Sequence, residues 1–327
     1  MITLSDSKRR LLGFVAKVFY YLLFVVALLA IFGYLWENRS ALGLALNAPA
    51  WIWFVPVLLY MGTLIAKGLG FDTLARVYGV RIPFIDSVGL TATGLLSNYA
   101  VPGNASLAIR TLYMHRVLGL NYKKFVPVAL AAFVFSTGLY GIFIGIAAIT
   151  FGEVPSHAYA IAILALSGSG LLLTFALMVP YHGIPLVGAW IETVLSGWRQ
   201  LCKSRRHLIF WLGIIFVLSI LEIGLFYSIV CILGIELTIA QTAIMVLAKE
   251  NSVVLRITPG AFGVAEGVQI FFGTQFGIDI SLILLAALIF RAIELLVIGC
   301  VSFALSGRLA QRVAIKARGS GVETHSM

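Results

Sequence analysis

The chain has 327 residues, 61% hydrophobic and only 11% charged, with a net charge of +10 and a mean hydropathy of +1.04. A soluble domain carries about 25% charged residues, so this composition excludes one and indicates an all-α integral membrane protein. Cys202, Cys231 and Cys300 are far apart and odd in number, which excludes a disulfide framework and a cysteine metal centre. The positive charge does not point to nucleic acid. Basic residues cluster in short segments between apolar runs, the pattern of cytoplasmic loops facing anionic headgroups.

In chain order, Lys8, Arg9 and Arg10 precede an apolar run over 11–35, which reads as a retained first span with Lys17 snorkelling near its start. The loop 36–48 holds Arg39 beside Glu37. A second span covers 49–69 behind the interfacial anchors Trp51 and Trp53, and Lys67, Asp72, Arg76 and Arg81 form a charged connector. The segment 82–101 is apolar but punctuated by Asp86, Gly89, Gly94, Ser97 and Asn98. Pro102-Gly103-Asn104 closes it, and 105–119 follows with Arg110, His115 and Arg116, then Lys123 and Lys124. Basic residues on both flanks predict a segment that enters from the cytoplasm and returns, with Pro102 and Gly103 near its tip.

Spans three and four cover 125–151 and 158–179, joined by a loop around Glu153 that has no lysine or arginine. Residues 180–206, rich in tryptophan and arginine, read as a cytoplasmic interfacial helix. Gly168-Ser169-Gly170 in span four suits close helix packing. Span five, 208–233, carries Glu222 at its centre. A second broken pair covers 239–276, and span six, 280–305, holds Arg291 and Glu294, ahead of a tail with Arg308, Arg312, Lys316 and Arg318. This assignment places Arg39 alone outside. It leaves Lys17, Lys249, Arg256 and Arg291 within the membrane and all other lysines and arginines inside, so both termini are expected in the cytoplasm.

The stretch 246–268 is mostly apolar yet carries Lys249, Glu250, Arg256 and Glu266, with Pro259-Gly260-Ala261-Phe262-Gly263 at its middle. Proline removes a backbone donor and glycine weakens a helix, so two half-helices meeting at a tip fit better than one span. Non-helical backbone at membrane depth survives only where protein or a wet cavity satisfies it. The first half of the chain reads span, span, hairpin, span, and the second half repeats that order inverted. Pro102-Gly103 with Ser106 and Ala108 parallels Pro259-Gly260 with Gly263 and Ala265. Six spans and two re-entrant hairpins arranged as inverted repeats form the expected architecture, that of alternating-access transporters. The chain is read as a single membrane domain over 1–327, with halves 1–151 and 152–306 and a polar cytoplasmic tail 307–327.

Four acids, Glu222, Glu250, Glu266 and Glu294, face the bases Lys249, Arg256 and Arg291 in the same half. On one reading they are structural ion pairs; Arg291 and Glu294 sit i, i+3 on one helix face. On the other they line a polar cavity in which Arg256 and Arg291 hold an anionic headgroup and the acids neutralise them or carry protons. The half-helix after Gly260 offers its N–H groups as an anion site, or Glu266 offsets its dipole. His115, His157, His182, His207 and His325 are scattered without metal-ligand spacing, and no Walker, dinucleotide or Gly-x-Ser-x-Gly pattern occurs. No catalytic residue, metal or cofactor is expected.

These tips resemble the lysylphosphatidylglycerol synthase/flippase membrane-domain family. The resemblance rests on Pro102 followed eight residues later by Arg110, on Pro259-Gly260-Ala261-Phe262-Gly263-Val264-Ala265-Glu266, and on Arg291 in the last span. The chain departs from the first motif, where the usual glycine and acidic residue are Ser106 and Leu107. The resemblance implies a helical membrane fold that moves lipids or lipid-linked molecules between leaflets. Together with the intramembrane charge pattern it nominates Arg110, Arg256, Glu266 and Arg291 as substrate-binding residues, with Arg256 resting on the charge pattern alone and Arg110 equally readable as a surface residue that binds lipid phosphate nonspecifically. Full-length aminoacylating relatives carry a soluble synthase domain in addition; none is expected from these residues, so aminoacyl transfer is not expected to be inherited. The expectation is a non-enzymatic flippase of the bacterial inner membrane for an anionic or lipid-linked amphiphile. Its partners are a membrane phospholipid or lipid-linked substrate and a separate synthase or glycosyltransferase. An integral membrane lipid transferase, or a non-transporting partner of such an enzyme, is the alternative.

Overall fold

A computed structural model describes residues 33, 43, 47–100, 105–152, 155–178, 188–252 and 258–322. The expected first span, most of the loop after it, Pro102, Gly103, Asn104, Glu153 and Arg256 lie outside the described residues. Ten α-helices account for most of the rest: α1 Phe54–Arg76, α2 Phe84–Ala100, α3 Ala105–Leu118, α4 Tyr122–Phe151, α5 His157–Met178, α6 Gly188–Lys203, α7 Arg205–Ile232, α8 Ile239–Ser252, α9 Val264–Gln275 and α10 Ile280–Val322. A 3₁₀ turn, Ala50–Trp53, leads into α1, and another, Pro259–Ala261, stands between α8 and α9.

Four segments, Ala50–Arg76, Tyr122–Phe151, Arg205–Ile232 and Ile280–Val313, are long and apolar enough to cross a membrane, and His157–Leu172 is a shorter apolar helix. Local chemistry sets the helix ends. Asn121 caps α4 by accepting the Lys123 N–H at 2.9 Å. Gly152, at φ +75°, stops it by donating to the Ala148 carbonyl. Asp279 opens α10 by accepting the Ser281 N–H at 2.8 Å.

Helices α1 and α7 run antiparallel, because Gly62 lies on Leu221 and Gly70 on Ile214. Helices α4 and α5 cross closely: a methyl group added at Gly170 would come within 2.5 Å of the Gly138 carbonyl oxygen. Gly170 therefore serves helix packing, as its motif suggests. Helix α6 is amphipathic. Val194, Leu195, Trp198 and Leu201 are buried while Glu192, Arg199 and Lys203 are exposed. Phe135 of α4 stacks on Trp198 at 4.2 Å and also meets Trp211 of α7, so this helix is docked by aromatic contact.

Two expectations are corrected. Lys67, Asp72 and Arg76 belong to α1 and not to a connector, because the helix continues past Leu69 to Arg76. Gly68 and Gly70 do not break it; Gly68 lies against Val88 of α2, and the turn comes at Gly79, with φ +73°. Buried Asp72 then accepts the Ile82 N–H at 2.8 Å, pinning the start of the next segment. Likewise α10 does not end at 305 but runs to Val322, since the sequence after Leu305 is rich in good helix formers.

Candidate functional site

At about 1.5 Å per residue, α2 (17 residues), α3 (14), α8 (14) and α9 (12) are all shorter than the ~30 Å hydrocarbon core. The pairs α2–α3 and α8–α9 each pack together, and one end of each pair comes to the same place. There the ring of Tyr99, next to the last residue of α2, covers Gly260. A methyl group on Gly260 would stand 2.4 Å from the Tyr99 ring. Gly260 adopts φ +60° and Gly263 φ +84°, so the motif needs glycine at both positions, at Gly260 also for lack of room. Thr258 braces the turn by donating its hydroxyl to the Phe262 carbonyl at 2.6 Å.

Glu266 holds this turn to the last helix. Its Oε2 accepts the Gly263 N–H at 2.7 Å, while its Oε1 accepts Nε and Nη2 of Arg291 at 3.1 and 2.7 Å. The first N–H of the α9 terminus is therefore taken by Glu266 and is not offered to a ligand. Arg291 also donates Nη1 to the Tyr99 hydroxyl at 2.7 Å, to the Gly260 carbonyl at 3.1 Å and to Glu294 at 3.4 Å. One guanidinium thus ties α10, the Gly260 turn and the end of α2 together. The i, i+3 partner Glu294 is the more distant of its two acids, and it also accepts from the Tyr60 hydroxyl at 3.2 Å. In the first helix pair the corresponding N–H belongs to Ser106. It is satisfied from α2, by Asn98 Oδ1 at 3.0 Å. An amide on the preceding helix there satisfies the N–H that Glu266 satisfies in the second pair.

Two adjoining cavities lie beside this junction. The larger, about 270 Å³, is lined by Lys67, Asn98, Ser106, Arg110, Tyr140 and Glu250 among apolar residues. The smaller, about 80 Å³, is lined by Lys67, Asn98, Tyr99, Lys249, Glu250, Gly260, Arg291 and Glu294. Lys67 reaches Glu222 at 2.7 Å, with Glu222 itself 1% exposed. Lys249 reaches Glu250 at 2.9 Å and lies 3.7 Å over the Phe290 ring. The Arg110 guanidinium sits 5.0 Å over Phe71. Buried charges survive only in such paired settings, because an isolated one forfeits its hydration without return.

Of the residues singled out from sequence, Asn98, Arg110, Lys249, Glu250, Gly260, Arg291 and Glu294 line these cavities. Glu266 stands behind Arg291 and Glu222 behind Lys67. Pro259 and Gly263 shape the turn, while Pro102, Gly103 and Arg256 lie outside the described residues. Sequence reasoning missed Lys67, Tyr60 and Tyr99. Tyr60 and Lys67 are seven apart on an unbroken helix, hence on one face, and that spacing was the available signal.

It also missed a second buried ion cluster. Asp86 of α2, fully buried, accepts Arg308 Nε at 3.0 Å, Arg312 Nη1, and the Tyr113 hydroxyl at 2.8 Å. Helix α10 therefore grips α2 twice, at Tyr99 through Arg291 and at Asp86 through Arg308 and Arg312.

A helical, multi-pass membrane protein whose short helix pairs meet beside cavities lined by charged side chains is the class these features define. The sequence pattern described as the lysylphosphatidylglycerol synthase TM region matches residues 15–302, and the chain belongs to that family. No curated protein and no solved structure matches the chain significantly.

Proposed function

We propose that the protein flips an anionic or lipid-linked amphiphile across the bacterial inner membrane, without covalent chemistry, passing the headgroup through the two polar cavities. On this reading α2–α3 and α8–α9 are re-entrant hairpins related as inverted repeats, in one membrane domain over 1–327 with both termini cytoplasmic. The observation that carries it is the junction of Tyr99, Gly260 and Arg291. Two helix pairs too short to span meet there, beside a chamber holding Lys67 and Arg110. Such a junction suits a gate, since its opening separates the two pairs without unfolding either.

Lys67 and Arg110 face the larger cavity and are the first ligands for a phosphate; Glu250 and Lys249 follow on the path to the gate. Arg291 contacts the headgroup once Tyr99 and Gly260 release it, with Glu266 keeping it in place. Arg256 keeps the headgroup-ligand role that the intramembrane charge pattern suggests. A separate synthase or glycosyltransferase supplies the substrate.

The test is purified protein in liposomes containing a short-chain fluorescent phosphatidylglycerol, with leaflet exposure read by a membrane-impermeant quencher. Protein is expected to speed equilibration over empty liposomes. Arg110→Gln or Lys67→Gln should slow it about 10-fold or more, the worth of one charge-assisted hydrogen bond. A rate equal to that of empty liposomes sinks the proposal, and so does a covalently altered lipid.

A further inference from the structure

A groove of about 720 Å³ lies between the C-terminal end of α1 and the start of α7, away from the central chamber. Thr73, Arg76, Arg206, His207, Ile209 and Phe210 line it. We propose that this groove is a binding site for an anionic phospholipid, its phosphate held by Arg206 and Arg76 and an acyl chain lying along Ile209 and Phe210.

The argument begins with the sequence of α7, which passes from Arg205-Arg206-His207 to Leu208-Ile209-Phe210 within about one helical turn. Arg206 is exposed, and Ile209 and Phe210 are 68% and 56% exposed. An apolar surface of that extent directly below a cationic rim matches the boundary between headgroups and acyl chains. Because α1 and α7 are antiparallel, Arg76 at the end of α1 arrives at the same level as Arg206. Asp72 holds Nε and Nη2 of Arg76 at 2.8 and 2.6 Å, which orients its guanidinium and leaves Nη1 uncommitted among the described residues. Arg206 has no ion-pair partner among the described residues.

The charge complement that is missing is therefore anionic. Two planar guanidinium groups suit a phosphate, whose oxygens accept paired N–H donors. A free phosphate would use the arginines but not Ile209 and Phe210. The exposed apolar pair selects a lipid as its source. The volume falls within the range of small-molecule sites, about 300–1,000 Å³. The site is independent of transport: it stands or falls whether or not the central cavities carry a headgroup.

The test places a photoreactive group in the groove itself, by Phe210→p-benzoylphenylalanine in the full chain, in nanodiscs of equal phosphatidylglycerol and phosphatidylcholine. After irradiation, mass spectrometry reads which lipid is attached. Phosphatidylglycerol adducts should exceed phosphatidylcholine adducts about 10-fold, the worth of one charge-assisted hydrogen bond. The excess should shrink with salt. Arg206→Gln should bring the ratio down to that of the bulk lipid, and Arg206→Lys should keep most of it. Arg206 is exposed, so neither change threatens the fold. An adduct ratio equal to the bulk composition overturns the proposal. So does an excess that survives Arg206→Gln, an excess abolished by millimolar inorganic phosphate, or attachment to a co-purified protein in place of lipid.

Discussion

Replacing Arg291 by glutamine tests whether the junction is held by charge. Arg291 is 7% exposed and Glu266 3%, so the substitution leaves Glu266, and with it Glu294, without a cation in a buried setting. Breaking a buried pair from one side costs about 3–5 kcal/mol, and that is the loss expected for Arg291→Gln. The structure then separates two double variants that sequence spacing alone would rank the other way. Glu266 receives two Arg291 donors at 2.7 and 3.1 Å, whereas the i, i+3 neighbour Glu294 receives one at 3.4 Å.

Arg291→Gln with Glu266→Gln removes both members of the tight pair. A glutamine amide oxygen can still accept the Gly263 N–H. What remains lost is the charge-assisted bonds to the Tyr99 hydroxyl and the Gly260 carbonyl and the long contact to Glu294, so this double should recover part of the single variant's loss. Arg291→Gln with Glu294→Gln leaves Glu266 buried and unpaired, so it should stay about as unstable as the single variant. The assay is unfolding in mixed micelles by titrated denaturing detergent, alongside lipid translocation in liposomes. The reasoning is refuted if the Glu294 double recovers as much stability as the Glu266 double, or if the single variant lies within about 1 kcal/mol of the parent.

Two further outcomes follow from the same geometry. Gly260→Leu should still insert but fail to translocate lipid, because even its Cβ would stand 2.4 Å from the Tyr99 ring and its φ of +60° disfavours a side chain; translocation at the parental rate would remove the Tyr99 contact from the gate. Single cysteines at Glu153 and Glu236 should react with an impermeant reagent applied from outside, and those at Lys123 and Lys203 only after permeabilisation. Outside labelling at Lys123 would mean that 82–101 crosses the membrane, and the inverted repeat would fall.

Class and element order were legible in the sequence because a bilayer imposes strong local rules. Long apolar runs, flanking cations and tryptophans sufficed to find α4, α5 and α7 close to their observed bounds, and the start of α10. The Pro259–Gly263 motif declared a break by backbone chemistry alone, and its glycines do adopt positive φ. Pairing was not legible, since it depends on which helix faces meet. Lys67 looked like a loop residue until α1 continued beneath it and delivered it to Glu222 on α7, 155 positions away (222 − 67). Asp86 looked like punctuation until the extension of α10 brought Arg308 and Arg312 to it.

Sequence spacing offered Arg291 its i, i+3 neighbour, and the fold instead gave the shorter contacts to Glu266 and Tyr99. Composition alone determined that this chain resides in a membrane and carries charge there, because the cost of burying charge is a property of the residue. Which charges compensate one another was decided only by tertiary structure, because compensation requires contact over a few ångströms between helices remote in the chain.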